Sequence, residues 1–167
     1  MSNHVAEAVD VGKDDVEWLS ASEQHAWRNY MEASLLLMAQ LDQELRASHG
    51  IGLSEYELLV RLSEQPEHSM RMAVLARDVA ISRSRLTHIV GRMELRGLLV
   101  RSAIREDGRG VLCRMTKAGY ALLQDSAPVH VRGVRRHVID RLTEREIAVM
   151  GRAMESMSNH LRELRSL

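Results

Sequence analysis

The order of four apolar segments between residues 72 and 116 constrains this sequence more than any other feature. Residues 72–80 and 83–96 carry apolar side chains at spacings of three and four, the periodicity of a helix that buries one face. Ser82 lies between the two segments and is a favourable N-cap. Two strand-like runs, 98–104 and 111–116, follow and are joined by a segment containing Asp107 and Gly108. This order predicts two short helices separated by a turn, followed by a β-hairpin.

Longer helices are predicted on both sides of this unit. Capping boxes of the form Ser/Thr-x-x-Glu begin at Ser20, Ser54 and Thr143. The first helix is expected to run to about residue 48 and the second to stop before Pro66, with further helices over about 118–140 and from 143 onwards. We therefore expect a mainly α fold with a small β-wing. Residues 1–19 are expected to form a flexible acidic arm, and residues 20–167 a single domain with a winged helix over about 53–117.

The charge of the chain is unevenly distributed, although its formal net charge is zero. Residues 71–117 contain 11 basic and 4 acidic side chains, whereas residues 1–32 contain 2 basic and 7 acidic ones. A phosphate backbone responds to local charge density, so the basic segment is where we expect a double-stranded DNA footprint. Taken alone, the same segment is equally consistent with a solvated basic face.

The second helix of the predicted pair directs short polar and basic side chains outward when its apolar positions face the core. Arg83 and Arg85 suit the O6 and N7 atoms of guanine, whereas Arg92 and Arg96 are better placed for phosphates. The predicted DNA-binding residues of this helix are Ser82, Arg83, Ser84, Arg85, Thr87, His88, Arg92 and Arg96.

The hairpin tip adds two arginines, Arg105 and Arg109, around a tight turn. A guanidinium at this position suits a narrow A·T-rich minor groove, and we favour Arg109 for that contact. Asp107 is expected to accept hydrogen bonds from Arg109 and to hold the tip rigid. An incidental ion pair on a solvated hairpin is the alternative reading, worth about 0–1 kcal/mol.

Four segments together resemble the MarR family of winged-helix regulators: residues 75–90, 93–99, 107–109 and 115–119. The Asp-x-Arg tip followed by hydrophobe-Thr-x-x-Gly, here ending at Thr116 and Gly119, is typical of the family; Met115 replaces the usual leucine. The resemblance covers about residues 20–165. It implies homodimerisation through the first and last helices, binding to a pseudopalindromic operator, and repression released by a small ligand.

Two further sets of residues follow from helical spacing combined with this resemblance. The last helix carries an apolar seam of the kind used against a partner helix, and the resemblance adds the first helix. The predicted dimer-interface residues are Leu35, Met38, Ile147, Met150, Met154, Met157, Leu161 and Leu164. The resemblance also implies a pocket for a small aromatic or phenolic effector, for which the candidates are Trp27, Tyr30, Arg46 and Tyr56.

The sequence gives no sign of several other functions. Cys113, the single cysteine, is expected to be a small core side chain, and neither a metal site nor another cofactor is expected. We find no export signal or membrane span, so a bacterial cytoplasmic location with nucleoid association is expected. An enzyme ranks last because no phosphate loop or nucleophile motif is present. A winged-helix module that binds proteins instead of DNA remains the alternative.

Overall fold

A computed structural model describes residues 16–104 and 110–166 and confirms the mainly α fold with a small sheet. The elements are, in order, α1 (Ala21–His49), α2 (Leu53–Ser63), a 3-10 turn (Pro66–His68), β1 (Ser69–Arg71), α3 (Met72–Asp78), α4 (Arg83–Leu95), β2 (Leu99–Ala103), β3 (Val111–Met115), α5 (Lys117–His137), a second 3-10 turn (Ile139–Arg141) and α6 (Glu144–Ser166). Pro128 lies inside α5, which continues through it. The predicted helix pair and hairpin therefore occur in the expected order.

The chain divides into two compact units, Met1–Leu36 and Leu37–Leu167. In the described part of the first unit, α1 begins with the predicted capping box: the Ser20 backbone N–H donates to Glu23 at 2.8 Å, and the Glu23 N–H donates back to the Ser20 hydroxyl at 3.3 Å. The second unit contains the rest of α1 and all the other elements.

The core of the second unit is built around the helix-turn-helix pair. Aliphatic side chains dominate it, and each fully buried leucine contributes roughly 1.5–3 kcal/mol to the free energy of unfolding. Its most deeply buried members are Leu45, Ile51, Leu58, Leu59, Leu62, Leu75, Leu86, Val90, Met93 and Cys113. The inward positions expected from helical spacing in α4 are all among the buried residues.

The sheet contains one strand more than the sequence predicts. Its order is β1-β3-β2, and both pairings are antiparallel. Cys113 of β3 lies opposite Met70 on one side and Arg101 on the other. Since β1 has only three residues, it is too short to show an alternating pattern, and its pairing with β3 is a long-range contact.

The second predicted capping box is wrong, whereas the third is confirmed. Helix α2 begins at Leu53, and the Glu55 carboxylate accepts a hydrogen bond from the Gly52 N–H at 2.9 Å, so Ser54 is not the cap. The Leu53 N–H is satisfied by Asp42 of α1 at 2.8 Å. With that acceptor in place, α2 begins two residues earlier than it would with Ser54 as its cap. Thr143 and Glu146 form the expected reciprocal pair before α6.

The end of α4, the sheet and α5 are joined at one point. Gly97 has φ of 71° and closes α4, with the Leu98 N–H donating to the Met93 carbonyl at 3.0 Å. The Thr116 hydroxyl donates to the Gly97 carbonyl at 2.7 Å and accepts from the Gly119 N–H at 3.0 Å. A Cβ at Gly119 would collide with the Leu98 carbonyl oxygen. The Thr-x-x-Gly pattern is therefore a packing requirement between β2, β3 and α5.

Candidate nucleic-acid interface

Helix α4 has one buried face and one outward stripe. The buried face consists of Leu86, Ile89, Val90 and Met93, which anchor the helix in the core. At 3.6 residues per turn, five positions fall within an arc of about 100° around the helix axis, on the side opposite the buried face. These outward positions are Ser84, Thr87, His88, Gly91 and Leu95.

All eight residues predicted on this helix for DNA binding are exposed. Two of their side chains are already used locally. The Ser82 hydroxyl accepts a hydrogen bond from the Arg85 backbone N–H at 3.2 Å and so caps α4, and the Thr87 hydroxyl donates to the Arg83 carbonyl at 2.9 Å. Ser82 therefore positions the helix N-terminus. The side chains of Ser84 and His88 stand on the outward stripe.

Arginines lie along one edge of the outward stripe. The guanidinium groups of Arg92 and Arg96 lie 3.6 Å and 3.7 Å from the carboxylate of Glu55 in α2. Glu55 is buried, with 7% of its side chain exposed, whereas the two arginine side chains are 51% and 39% exposed. The Glu55 carboxylate thus positions the guanidinium groups of Arg92 and Arg96, which remain accessible to solvent. Sequence reasoning missed Glu55 because its partners are far away in the chain.

The other edge of the stripe is tied to the hairpin. Glu94 of α4 accepts hydrogen bonds from the backbone N–H and the Nε of Arg101 in β2, both at 2.8 Å. A second guanidinium nitrogen lies 2.6 Å from the same carboxylate. Arg101 holds the pKa of Glu94 below its usual value, chiefly through its side-chain hydrogen bond. This contact fixes β2 against α4. The sequence signal for it was Glu94 itself, an acidic residue inside a strongly basic segment.

The predicted wing-tip residues Arg105, Asp107 and Arg109 lie outside the described residues. The base of the hairpin is described: the Ile104 N–H donates to the Gly110 carbonyl at 2.9 Å. Both strands of the wing start from the sheet that Glu94 ties to α4.

The predicted dimer-interface residues are not buried within the chain. In α6, Met157, Leu161 and Leu164 expose 43%, 56% and 57% of their surface. Ile147, Met150 and Met154 of the same helix are half-buried. In α1, Leu35 and Met38 are exposed at 66% and 53%. Among the described residues, no helix or strand covers the apolar surface that these side chains form on α6 and on α1.

The candidate effector residues occupy different environments. In the first unit, Trp27 and Tyr30 are exposed and stack at a tilt, with ring centroids 5.9 Å apart. In the second unit, Arg46 is held on the surface by Asp42 at 2.6 Å. Tyr56 is buried, and its ring lies 4.5 Å from that of His130 in α5.

His130 was not singled out by the sequence, yet it is the more unusual member of this ring pair. Its Nδ1 is buried without a hydrogen-bond partner. Burial lowers the pKa of His130, with a smaller opposing effect from Glu57. Burial therefore favours the neutral form of the imidazole next to Tyr56.

Cys113 is fully buried in β3, as expected for a core side chain, and burial raises its pKa to about 12. Its thiol stays protonated at neutral pH. Within residues 16–104 and 110–166, no group of three or more His, Cys, Asp or Glu side chains is arranged to hold a metal ion. None of the helices in those ranges is both long and apolar enough to cross a membrane.

The chain is similar to several known regulators. The model of the MarR family matches residues 51–111. The structure superposes with a TM-score of 0.85 on Sco3205, a MarR family transcriptional regulator from Streptomyces coelicolor solved in complex with DNA, at 40% identity over 89% of this chain and 92% of that one. AbsC, a MarR family transcriptional regulator from the same organism, gives a TM-score of 0.83 at 38% identity over 89% and 99%.

A curated relative is the HTH-type transcriptional regulator MhqR of Bacillus subtilis (strain 168), 28% identical over 102 residues. That match includes 59% of this chain and 66% of the regulator, just under two thirds of its length. The matched region of the family model contains the helix-turn-helix pair and most of the sheet. Since the chain also shares 40% identity with a family member of which it covers 92%, it belongs to the MarR family.

Proposed function

We propose that this protein is a sequence-specific DNA-binding transcriptional regulator that acts as a homodimeric repressor on a pseudopalindromic operator. The observation that carries the proposal is the outward stripe of α4, which lies opposite its buried face and is exposed at every position except half-buried Gly91. Sco3205, at 40% identity, was solved in complex with DNA, which supports the same partner for this chain.

The chemistry of the stripe and its edges fits duplex DNA. Ser84 and His88 offer short donors and acceptors to base edges, and Arg83 and Arg85 offer planar forks that suit guanine. Arg92, half-exposed beside Glu55, stands at the edge where a phosphate backbone would pass. A module that binds proteins would favour an apolar or acidic face, so the donor-rich and basic face favours a polyanion.

Dimerisation supplies a second copy of α4, the proposed recognition helix. We propose that the exposed apolar surface of α6 pairs with that of a second copy, and that Leu35 and Met38 of α1 also take part in the dimer interface. Two α4 helices would then reach successive major grooves about one helical turn apart, roughly 10 base pairs. The wings, with Arg109 at the tip and Asp107 as its support, would reach the flanking minor grooves.

Release from the operator is proposed to follow binding of a small aromatic or phenolic effector. The half-buried ring of His130 lies against the buried ring of Tyr56, and its unpartnered Nδ1 offers one hydrogen bond to a hydroxyl group. An effector that prefers one spacing of the recognition helices would shift the dimer toward that spacing. The proposal places the protein in the bacterial cytoplasm, on nucleoid DNA.

The experiment that tests the function is selection from random-sequence duplex DNA by the purified protein, repeated over a range of salt concentrations. We expect one two-fold symmetric site and a steep fall of affinity with salt. Arg83→Ala is expected to lose the selected site. Arg132→Ala removes the same charge from an exposed position on α5 and is expected to retain it. Selection of no site by the wild-type protein at low salt would overturn the proposal and favour the protein-binding module.

A further inference from the structure

Gly91 lies in the middle of α4, where nothing among the described residues requires a glycine. A Cβ built at Gly91 would meet no other atom within 4 Å. Its φ is not positive, unlike those of Gly50 and Gly97. Gly119 differs because a Cβ there would collide with the backbone of β2. Within residues 16–104 and 110–166, neither backbone conformation nor packing therefore accounts for Gly91.

A glycine inside a helix lowers the free energy of unfolding compared with alanine, because it gives up more backbone freedom on folding. At Gly91 the described residues show no internal contact that offsets this cost. One remaining physical use for an absent side chain is the close approach of another molecule to the helix backbone.

The position of Gly91 on α4 indicates that the approaching molecule is DNA. On the helical wheel it lies near the centre of the outward stripe, between Thr87 and Leu95 and directly opposite the buried face. It also lines a shallow cleft between α4 and β2, whose other residues include His88, Arg92 and Arg101. An α-helix with side chains is about 10–12 Å wide and the major groove is about 12 Å wide. A missing side chain at the centre of the stripe therefore lets the helix sit deeper in the groove.

Leu95 is an independent anomaly on the same stripe. It is 91% exposed, although it stands one turn after Gly91 in a helix that is otherwise polar on this side. An apolar side chain at this place has no donor to offer, and it suits the apolar atoms of DNA, such as thymine methyl groups.

On these two observations, and resting on the proposed DNA-binding function, we propose that Gly91 and Leu95 form a close-contact strip of the recognition helix. At Gly91 the DNA meets the α4 backbone directly. One turn further on, Leu95 packs against apolar atoms of the same groove. The donor-bearing first half of the stripe reads base edges, and this second half determines how deep the helix sits and which apolar groups it meets.

The test is a size series at Gly91, measured for thermal unfolding and for affinity to the operator selected by the wild-type protein. Gly91→Ala is expected to raise Tm by about 2–4 °C, because alanine favours the helix, yet to weaken operator binding about tenfold. Gly91→Leu is expected to weaken binding further. A purely structural role would move stability and affinity in the same direction.

Gly151→Ala is the matched control, since Gly151 also lies inside a helix, α6, with no atom within 4 Å of an added Cβ. It is expected to raise Tm and leave operator affinity unchanged. If Gly91→Ala raises Tm and binds the operator as tightly as the wild type, the close-contact strip is overturned while the proposed function stands. If the wild-type protein selects no DNA site, both are overturned.

Leu95→Ala tests the other half of the strip and is expected to weaken operator binding about tenfold. Replacing operator thymines by deoxyuridine removes only the methyl groups. If the deoxyuridine operator lowers the affinity of the wild-type protein as much as Leu95→Ala does, and lowers that of Leu95→Ala no further, the contact is with a thymine methyl. If Leu95→Ala binds both operators more weakly than the wild type by the same factor, the contact is with deoxyribose. Unchanged binding by Leu95→Ala removes Leu95 from the strip.

Discussion

The buried carboxylate of Glu55 in α2 lies 3.6 Å from a guanidinium nitrogen of Arg92 in α4. The same carboxylate accepts the Gly52 N–H at the start of α2 and lies 3.7 Å from Arg96. One negative charge therefore faces two positive ones at the edge of the proposed DNA-binding surface. Glu55 limits how much positive charge this edge presents to DNA, and it links the corner between α1 and α2 to the recognition helix.

Glu55→Gln is expected to strengthen binding to random-sequence duplex DNA, because it removes the counter-charge of Arg92 and keeps an acceptor for Gly52. The dependence of log affinity on log salt is expected to become steeper, by up to about 1 for each half-site. Glu57→Gln removes the same charge from a neighbouring, half-buried position and is expected to leave the slope unchanged. Equal slopes for the two variants would contradict the role assigned to Glu55.

Arg109→Ala is expected to weaken operator binding by roughly 1–3 kcal/mol while the protein stays folded, since the wing loses its minor-groove guanidinium. Fluorescence anisotropy with the selected operator measures the loss. Arg114→Ala is the control, because Arg114 is half-exposed on β3 and pairs with Glu67 at 3.2 Å. An affinity of Arg109→Ala equal to that of this control would remove the wing from the interface.

Met154→Asp combined with Met157→Asp is expected to separate or unfold the dimer, because two carboxylates would be buried in the apolar seam of α6. Sedimentation velocity reports the mass of the assembly. Asn159→Asp places a carboxylate on the opposite, exposed side of the same helix and is expected to leave the mass unchanged. A double variant that remains a folded dimer would show that the seam has been assigned to the wrong face.

Gly119→Ala is expected to lower the free energy of unfolding by about 1–3 kcal/mol, because the added Cβ would collide with the Leu98 carbonyl and the Met115 side chain. Urea unfolding measures this change. Gly151→Ala, whose Cβ would meet open space, is expected to raise the same quantity by up to about 1 kcal/mol. Stabilisation by both substitutions would show that β2 can move away from α5.

Cys113 predicts how stability changes in alkaline solution. Its thiol has a pKa of about 12 in the folded chain, above the usual value of 9.0, because of burial. The unfolded chain therefore loses this proton first, so stability is fully present below about pH 9 and falls as pH rises toward 12. Tyr56, whose pKa is also raised by burial, adds to the fall only above pH 10. Between pH 9 and 10, Cys113→Ala is expected to show a shallower decline of unfolding free energy than the wild type.

The order of elements and much of the candidate site were predictable from the sequence alone. Helical spacing placed the inward face of α4, and so its outward residues, because side-chain direction in a helix follows from local geometry. Ser82 and Thr143 were recognised as caps for the same reason, since a cap satisfies backbone groups two or three residues away. The charge excess of residues 71–117 also required nothing beyond counting.

The tertiary structure decided the relationships between residues that are distant in the chain. Asp42 of α1 satisfies the Leu53 N–H, and with it α2 begins at a different residue from the one its own capping pattern predicts. Strand β1 exists because β3 offers it backbone partners, and its three residues carry no periodicity of their own. The placement of Glu55 beside Arg92 and the empty space around Gly91 likewise depend on how helices pack. Local hydrogen bonding and periodicity are properties of the sequence, whereas ion pairs and free space across elements exist only once the chain has folded.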